Sequence, residues 1–535
     1  MQQRLDLSLK RTSNFVYQGI TCITGDKPVP SAYLVSAAPV PTALALLALA
    51  AGGRRHIQNI RLAASYLKST FLTDAGWGNT PAGPSRELAT AICSKGLAVL
   101  EPPGISPQLI HDAACLVAKT WTQDFDRLAP GWLPKQNSPL IKLLEAISGK
   151  TLVPTLETLT LRDFKTLSHF MPPYGRPTML AVTLIKDWNR RGRDEETMEA
   201  AEELAGWVSA DGSWCEDVVV TSMAVMALSL AGFRQPLDKA CDWLSETQYD
   251  HGGWPSFNQL TNWAVGWAAQ ILGGQDPHIH QLTTPYLFRA INQDGSLGTT
   301  PPYSYPDLDD TAIGLLGLLN DPSASLVPLN RPRQMLLKLQ NGDGSWGTFP
   351  SFSGLPPDCS CGFPVYIKSG DVTVHVLQAL LKMGLPESSL PVTKALGWLT
   401  RRQHVDGTWD STWFLGQTYA TAQILDLLLD LKPESEPTAR GIDYLLTAQK
   451  DGRWDMGSAG ETGLALYTLL KAGTDPHSTT IVKGLDYLLS LQSADGSFRP
   501  FYCGFYASGL YYEEPLSEAM AALRAMNLFL KLTQK

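Results

Sequence analysis

The sequence predicts an all-α protein built from helical hairpins that close into rings or barrels. Three observations lead there. One unit recurs along the chain: a helix ending in an aromatic residue, then a glutamine, then an Asp-Gly turn and a second aromatic residue. It is clearest at Tyr444, Gln449 and Asp451-Gly452-Arg453-Trp454, and at Tyr487, Gln492 and Asp495-Gly496-Ser497-Phe498. Two more copies run through Trp398, Gln403 and Gly407-Thr408-Trp409, and through Trp243, Gln248 and Gly252-Gly253-Trp254. Fainter ones end at Trp214, Leu297 and Trp346. The turn glycines (Gly212, Gly253, Gly295, Gly344, Gly407, Gly452 and Gly496) recur at intervals of roughly 40–60 residues, room for one helix pair and its loops. Before each turn the apolar residues fall at helical spacing, as in Ile442, Leu445 and Leu446, while strand-like alternation is rare.

Taken in order, residues 1–20 read as a lone amphipathic helix. Pro28 to Gly53 is the longest uncharged stretch, and only Thr42 to Ala51 reads as continuous helix, too short to cross a bilayer. It is expected to be a buried helix. Residues 28–200 carry the helical theme less legibly, with loops at Pro102 to Pro107 and Pro172-Pro173-Tyr174-Gly175. Gly347 to Gly370, rich in Pro, Ser, Gly and Cys, reads as a long functional loop.

The chain has 535 residues, enough for two or more domains with large cores. Its net charge is −8 and no long Lys/Arg run occurs, which argues against nucleic-acid partners. Eight scattered cysteines form no framework, so a reducing, cytoplasmic compartment is expected, a setting compatible with peripheral membrane contact. The closest pair, Cys359-Ser360-Cys361, lacks neighbouring ligands for zinc. Arg4, Asp6, Lys10 and Arg11 break up the first residues, which therefore do not read as a signal peptide.

The chemistry concentrates at Tyr305-Pro306-Asp307-Leu308-Asp309-Asp310-Thr311-Ala312, which contains the chain's single Asp-Asp pair and precedes an uncharged helical run. Carboxylates this close cannot all ionise cheaply; one proton should be shared and one acid held protonated, ready to act as a general acid. Helix N-capping and a Mg²⁺ site are the alternatives.

At this point the sequence resembles a known family. The turns resemble the QW repeats of terpene cyclases. Asp307-Leu308-Asp309-Asp310 resembles the Asp-x-Asp-Asp acid motif of class II terpene cyclases, the squalene–hopene cyclase superfamily. Asp371-Val372-Thr373-Val374-His375 resembles the segment that carries the acid's histidine partner, and Gly252-Gly253-Trp254 with Trp263 the one that supplies an active-site tryptophan. The resemblance implies two α/α barrels, called β and γ: residues 1–20 joining the C-terminal barrel at 259–535, and 21–258 forming the inserted γ barrel. It also implies that Asp309 protonates a terminal alkene, that Asp307 and Asp310 orient it, that His375 strengthens it, and that Asp371 sets the histidine's state. The cation formed needs aromatic faces rather than nucleophiles. The candidates are Trp263, Trp409, Trp413, Tyr305, Phe501, Tyr502, Phe505 and Tyr506.

Two departures separate the chain from hopene cyclases: Gly298 where they carry an aromatic residue, and Ala264 where they carry Asp. Thr408 to Trp413, followed by Tyr419-Ala420-Thr421, looks more like bacterial cyclases of prenyl diphosphates, of the drimenyl or copalyl diphosphate synthase type. No Asp-Asp-x-x-Asp motif is present to ionise a diphosphate, so a diphosphate should survive in the product. The expected substrate is a C15 or C20 prenyl diphosphate, with squalene or another polyprene as the rival, a non-catalytic barrel as the rival outside enzymes, and a zinc-dependent prenyltransferase β-like subunit as a third. Mg²⁺ is the expected cofactor, with Glu216 and Asp217 as candidate ligands. No organic cofactor is expected.

Overall fold

The computed structural model describes residues 2–25, 35–81, 83–102, 104–128, 160–168, 175–255, 260–274, 276–300, 306–349, 368–411, 413–499, 501, 504–506 and 510–534. Tyr305, Tyr502, Cys359 and Cys361 lie outside them. The architecture is all-α, with two short antiparallel pairings: Ala37–Ala38 with Trp254–Pro255, and Gly504–Tyr506 with Leu510–Tyr512.

Two separate hydrophobic cores organise the chain. One gathers buried residues between Ala37 and Trp254; the other gathers residues from Trp263 to Leu530 together with Leu5, Phe15, Val16, Ile20 and Ile23. In the second, the helices Thr261–Leu272, Leu308–Leu318, Gly370–Lys382, Thr418–Leu431, Ala459–Lys471 and Pro515–Thr533 pack each on the next, and the last packs on the first, closing a ring. Outside it lie Ile279–Ala290, Asn330–Lys338, Leu390–Arg402, Glu436–Ala448, Thr479–Ser490 and the first helix, Gln2–Thr24. In the first core, Pro39–Gly52, Glu87–Ala98, Pro107–Leu128, Gly175–Arg191 and Val218–Ala231 close a second ring. Both are α/α barrels.

Inner and outer helices differ in sequence because they differ in what they touch. Leu308–Leu318 is buried at every position and shows no polar face, whereas Thr479–Ser490 buries only Ile481, Gly484, Leu485 and Leu488, a stripe at helical spacing. Pro39–Gly52 is buried through Leu49; it starts three residues earlier than expected, since Pro39 and Pro41 fall in the first turn, where proline costs nothing. No helix among the described residues is long and apolar enough to cross a membrane.

The recurring turn has a physical purpose. The last carbonyls of a helix lack intrahelical partners. In the copies that end in tryptophan the indole N–H fills that need: Trp346 donates to the Leu336 carbonyl, Trp409 to Leu399, Trp254 to Leu244 and Trp214 to Leu204, all at 2.8 Å. The glutamine reaches the next outer helix: Gln403 donates to the carbonyl of Pro437 at 2.8 Å and Gln449 to that of Thr480 at 2.8 Å. The last glutamine, Gln492, donates to Ser8 and Thr12, so the first helix takes the place of the next repeat. Glycine is required at Gly452, where φ is +84° and a Cβ would strike the Lys483 carbonyl. The sequence reading passed over one copy: Trp77 donates to the Leu67 carbonyl at 2.7 Å, after a turn that bends at Ala75.

Candidate active site

The acid cluster sits where the Leu308–Leu318 helix begins. Asp307 is the N-cap, and its Oδ1 accepts from the backbone N–H groups of Asp309 at 2.8 Å and Asp310 at 3.0 Å. Capping and acid chemistry therefore coexist, on different residues of one motif. Asp307, Asp309 and Asp310 are all buried. Burial pushes Asp307 up to about 8, with the charge of Asp309 adding to it. Burial, then the charges of Asp307 and Asp309, drive Asp310 well above the carboxylate range. The contact between the two side chains pulls Asp307 down and pushes Asp310 up, as expected of a pair in which Asp310 holds the proton.

Asp309 is set apart by its partner. Its Oδ1 lies 2.7 Å from Nδ1 of His375, in the second turn of the Gly370–Lys382 helix. Burial raises Asp309, and the histidine's charge and hydrogen bond pull it back down. The histidine thus draws a buried acid back toward ready proton release. His375 is itself enclosed by aromatic edges: Trp263 at 5.5 Å and Tyr419 at 6.5 Å between ring centroids. Asp371, one turn before His375, accepts from the Ser411 hydroxyl at 2.6 Å and the Val372 N–H at 2.9 Å, and its charge raises Asp309.

Asp307, Asp309 and Asp310 open onto one cavity, whose other walls include Trp263, Phe349, Trp413, Phe414, Tyr512 and Glu514. Trp413 is fixed by a 2.8 Å bond from its indole N–H to the Thr348 hydroxyl, and the Thr348 carbonyl accepts from Leu308 N–H at 2.7 Å. One threonine so ties the aromatic wall to the acid helix. Phe414 stacks on Tyr419, with centroids 3.7 Å apart. Carboxyl groups and aromatic side chains line the same space. That arrangement can deliver a proton to an apolar molecule and shelter the resulting cation.

This geometry joins the acid motif, its histidine and an aromatic cavity in one barrel. Residues 300–510 match the family model of the squalene-hopene cyclase C-terminal domain. That stretch of the chain is therefore similar to the C-terminal domain of the squalene–hopene cyclases, which are class II terpene cyclases. The chain's relatives include the squalene–hopene cyclase of Alicyclobacillus acidocaldarius, 27% identical over 335 residues, or 55% of this chain and 46% of the relative. The drimenyl diphosphate synthase of Streptantibioticus cattleyicolor is 26% identical over 222 residues, 39% of each. The chain thus spans less than half the length of these relatives. The structure of ent-copalyl diphosphate synthase from Streptomyces platensis superposes with a TM-score of 0.61 at 19% identity, covering 98% of this chain and 99% of that one. The two share their fold end to end.

Within the C-terminal barrel the structure brings Asp307, Asp309, Asp310, Asp371, His375, Trp263 and Trp413 together. It moves Trp409 elsewhere. Its indole N–H is bound to the Leu399 carbonyl and 1% of its surface is exposed, so it packs the repeat rather than the cavity. Phe501 is half-buried and is not among the cavity walls; Phe505 and Tyr506 lie on the Gly504–Tyr506 strand. Tyr305 and Tyr502 fall outside the described residues. Sequence reasoning missed Phe349, Phe414, Tyr512 and Glu514. Their one shared signal is position, on segments that lead into or out of barrel helices.

Glu216 and Asp217 stand at the start of Val218–Ala231, in the other barrel. Asp217 caps that helix through Val220 N–H at 2.9 Å, and burial raises it to about 7. Glu216, at φ +51°, is pushed up to about 8 by burial and the charge of Asp211. The charge of Glu216 also raises Tyr286 of the C-terminal barrel, after burial, which is the main cause. Among the described residues no group of three or more His, Cys, Asp or Glu side chains converges to hold a metal.

Proposed function

We propose that the chain cyclises a linear prenyl diphosphate, farnesyl or geranylgeranyl, into a bicyclic drimane- or labdane-type diphosphate, starting by protonation and keeping the diphosphate. The Asp309–His375 pair facing an aromatic cavity carries this reading. Asp309 gives its proton to the terminal alkene. The π electrons of that alkene form the new C–H bond, and the neighbouring alkenes close the rings in turn. Asp307 and Asp310, sharing a proton, position Asp309 without adding two full charges beside it. Trp263, Phe349, Trp413 and Phe414 offer ring faces to the travelling positive charge and no lone pair that would trap it. The two cores correspond in this reading to an inserted barrel at 21–258 and a C-terminal barrel at 259–535 completed by residues 1–20.

Mg²⁺ fits the chemistry of Glu216 and Asp217 as a two-carboxylate site of the sort that leaves room for substrate phosphate oxygens. Both carboxyls are held partly neutral by burial, a state that a cation would reverse. Bound there, the ion would neutralise the diphosphate; the protonation itself needs only the aspartates.

A second reading is favoured by one observation. The described cavity walls contain no Lys or Arg. An uncharged polyprene such as squalene would suit them without a head group lying outside. Offering farnesyl diphosphate, geranylgeranyl diphosphate and squalene in parallel, with Mg²⁺ and with Asp309→Asn as control, separates the two. A cyclic alcohol released only after phosphatase treatment supports the diphosphate substrate; a cyclic hydrocarbon from squalene alone replaces it.

A further inference from the structure

One buried carboxyl in the cavity has no place in the protonation step. Glu514 lies at the start of the Pro515–Thr533 helix, 3% exposed, and lines the same cavity as Asp309. It occupies the N-cap position yet makes no capping bond with its side chain. The side chain accepts instead from the Ser517 hydroxyl, and Oε2 has no hydrogen-bond partner among the described residues. A carboxyl oxygen left bare in an apolar wall costs stability. Stability alone would have selected a hydrocarbon or a capping Ser or Asp there.

We propose that Glu514 takes up the proton lost by the last cation and so ends the cyclisation. This inference rests on the cyclase reading. In the step, a C–H bond next to the cationic carbon breaks and its electron pair becomes the product's double bond. The proton goes to the bare Oε2. The reaction is an isomerisation, so one proton given by Asp309 and one taken by Glu514 balance it, and no other reactant enters.

The surroundings suit the role. Burial, with the charge of Glu518 adding and the Ser517 bond opposing, holds Glu514 at about 8. The ionised fraction of this carboxyl is the base: it takes the proton from the carbon beside the cation and becomes the neutral acid, the form that burial favours. Other carboxyls lie beyond Ser517. Ser517 lines a second cavity, behind Phe414 and Tyr419, together with the carboxyls of Glu461 and Glu518. Glu461 in turn feels the charge of Asp455, which is exposed.

The test compares wild type, Glu514→Gln, Ser517→Ala and Asp309→Asn on farnesyl diphosphate, geranylgeranyl diphosphate and squalene. Substrate consumption and product identity are read by mass spectrometry, and melting temperature checks folding. Asp309→Asn should abolish consumption. Glu514→Gln should keep consumption within about tenfold of wild type. Its main product should fall at least as much in share, replaced by isomeric alkenes or by alcohols formed when water captures the cation. Ser517→Ala should shift products in the same direction, less far. An unchanged product set in a folded Glu514→Gln protein overturns the inference while leaving the cyclase reading standing. Should Glu514→Gln melt below assay temperature, unchanged products from Ser517→Ala overturn it instead. A wild type that turns over none of the substrates overturns the cyclase reading, and this inference with it.

Discussion

Replacing His375 tests the central pair most directly. In His375→Ala, Asp309 loses a 2.7 Å hydrogen bond in a fully buried setting. A hydrogen bond involving a charged group contributes about 1.5–3 kcal/mol. If that contribution is expressed in the transition state, consumption slows by about 10- to 150-fold, since about 1.4 kcal/mol is tenfold. KM should change little, because the histidine lies behind the acid. The pH profile gives a sharper reading. Activity requires protonated Asp309, so it is present below that group's pKa and lost as pH rises through it. His375 pulls this pKa down. Removing it should therefore move the alkaline fall of activity to higher pH even as the plateau drops. Initial rates between pH 5 and 9, with His375→Gln as a shape-preserving companion, supply both numbers. A rate within threefold of wild type, or an alkaline limb that moves down, refutes the assignment.

Other predictions follow from the same structure. Asp310 is protonated when folded and would be ionised when unfolded, so it costs stability as pH rises from about 4 toward its raised folded pKa. Asp310→Asn, whose amide can still donate to Asp307, should raise the melting temperature at pH 8 by about 2 °C or more, with the gain shrinking at pH 5, while activity is lost. Gln403→Leu removes bonds to Pro437 and Gly407, and should lower stability by about 1–2 kcal/mol in denaturant melts without changing the products. Trp413→Leu removes a cavity face and the tie to Thr348, and should raise the share of incompletely cyclised products, whereas Trp409→Phe should cost stability and leave products alone. Chelation should slow turnover of a prenyl diphosphate and leave an uncharged polyprene untouched, with Glu216→Ala weakening the Mg²⁺ response.

How much of this was written in the sequence depends on what each residue has to do. The outer helices of the C-terminal barrel were legible because they have a wet side, and the turns because one hydrogen-bond solution recurs at each helix end. The inner helices were harder. Val218–Ala231 is buried nearly throughout and has no polar face to set its period. The Trp77 turn was passed over because it lacks the glutamine of the other copies. The acid cluster stood out as an arrangement no structural role requires in triplicate. Trp409 misled for the opposite reason: a tryptophan that caps a helix and one that walls a cavity are the same letter, and Trp409 and Trp413 sit four residues apart. Glu514 carries no motif at all. Only the fold shows that a carboxyl at the start of the final helix shares a cavity with an acid two hundred residues earlier.

The first helix also bears on how the protein comes to exist. Gln2–Thr24 packs on Pro515–Thr533, with Ser8 reaching Met526 and Gln492 holding Ser8 and Thr12. This helix is therefore the clasp that fastens a segment made long after it. Until then its apolar stripe has no home in its own barrel, while the intervening barrel can close on itself. Folding should proceed from the middle outward, slowly in the step that joins the ends. Truncating the first helix should leave the 37–254 core intact and loosen the ring that holds the acid.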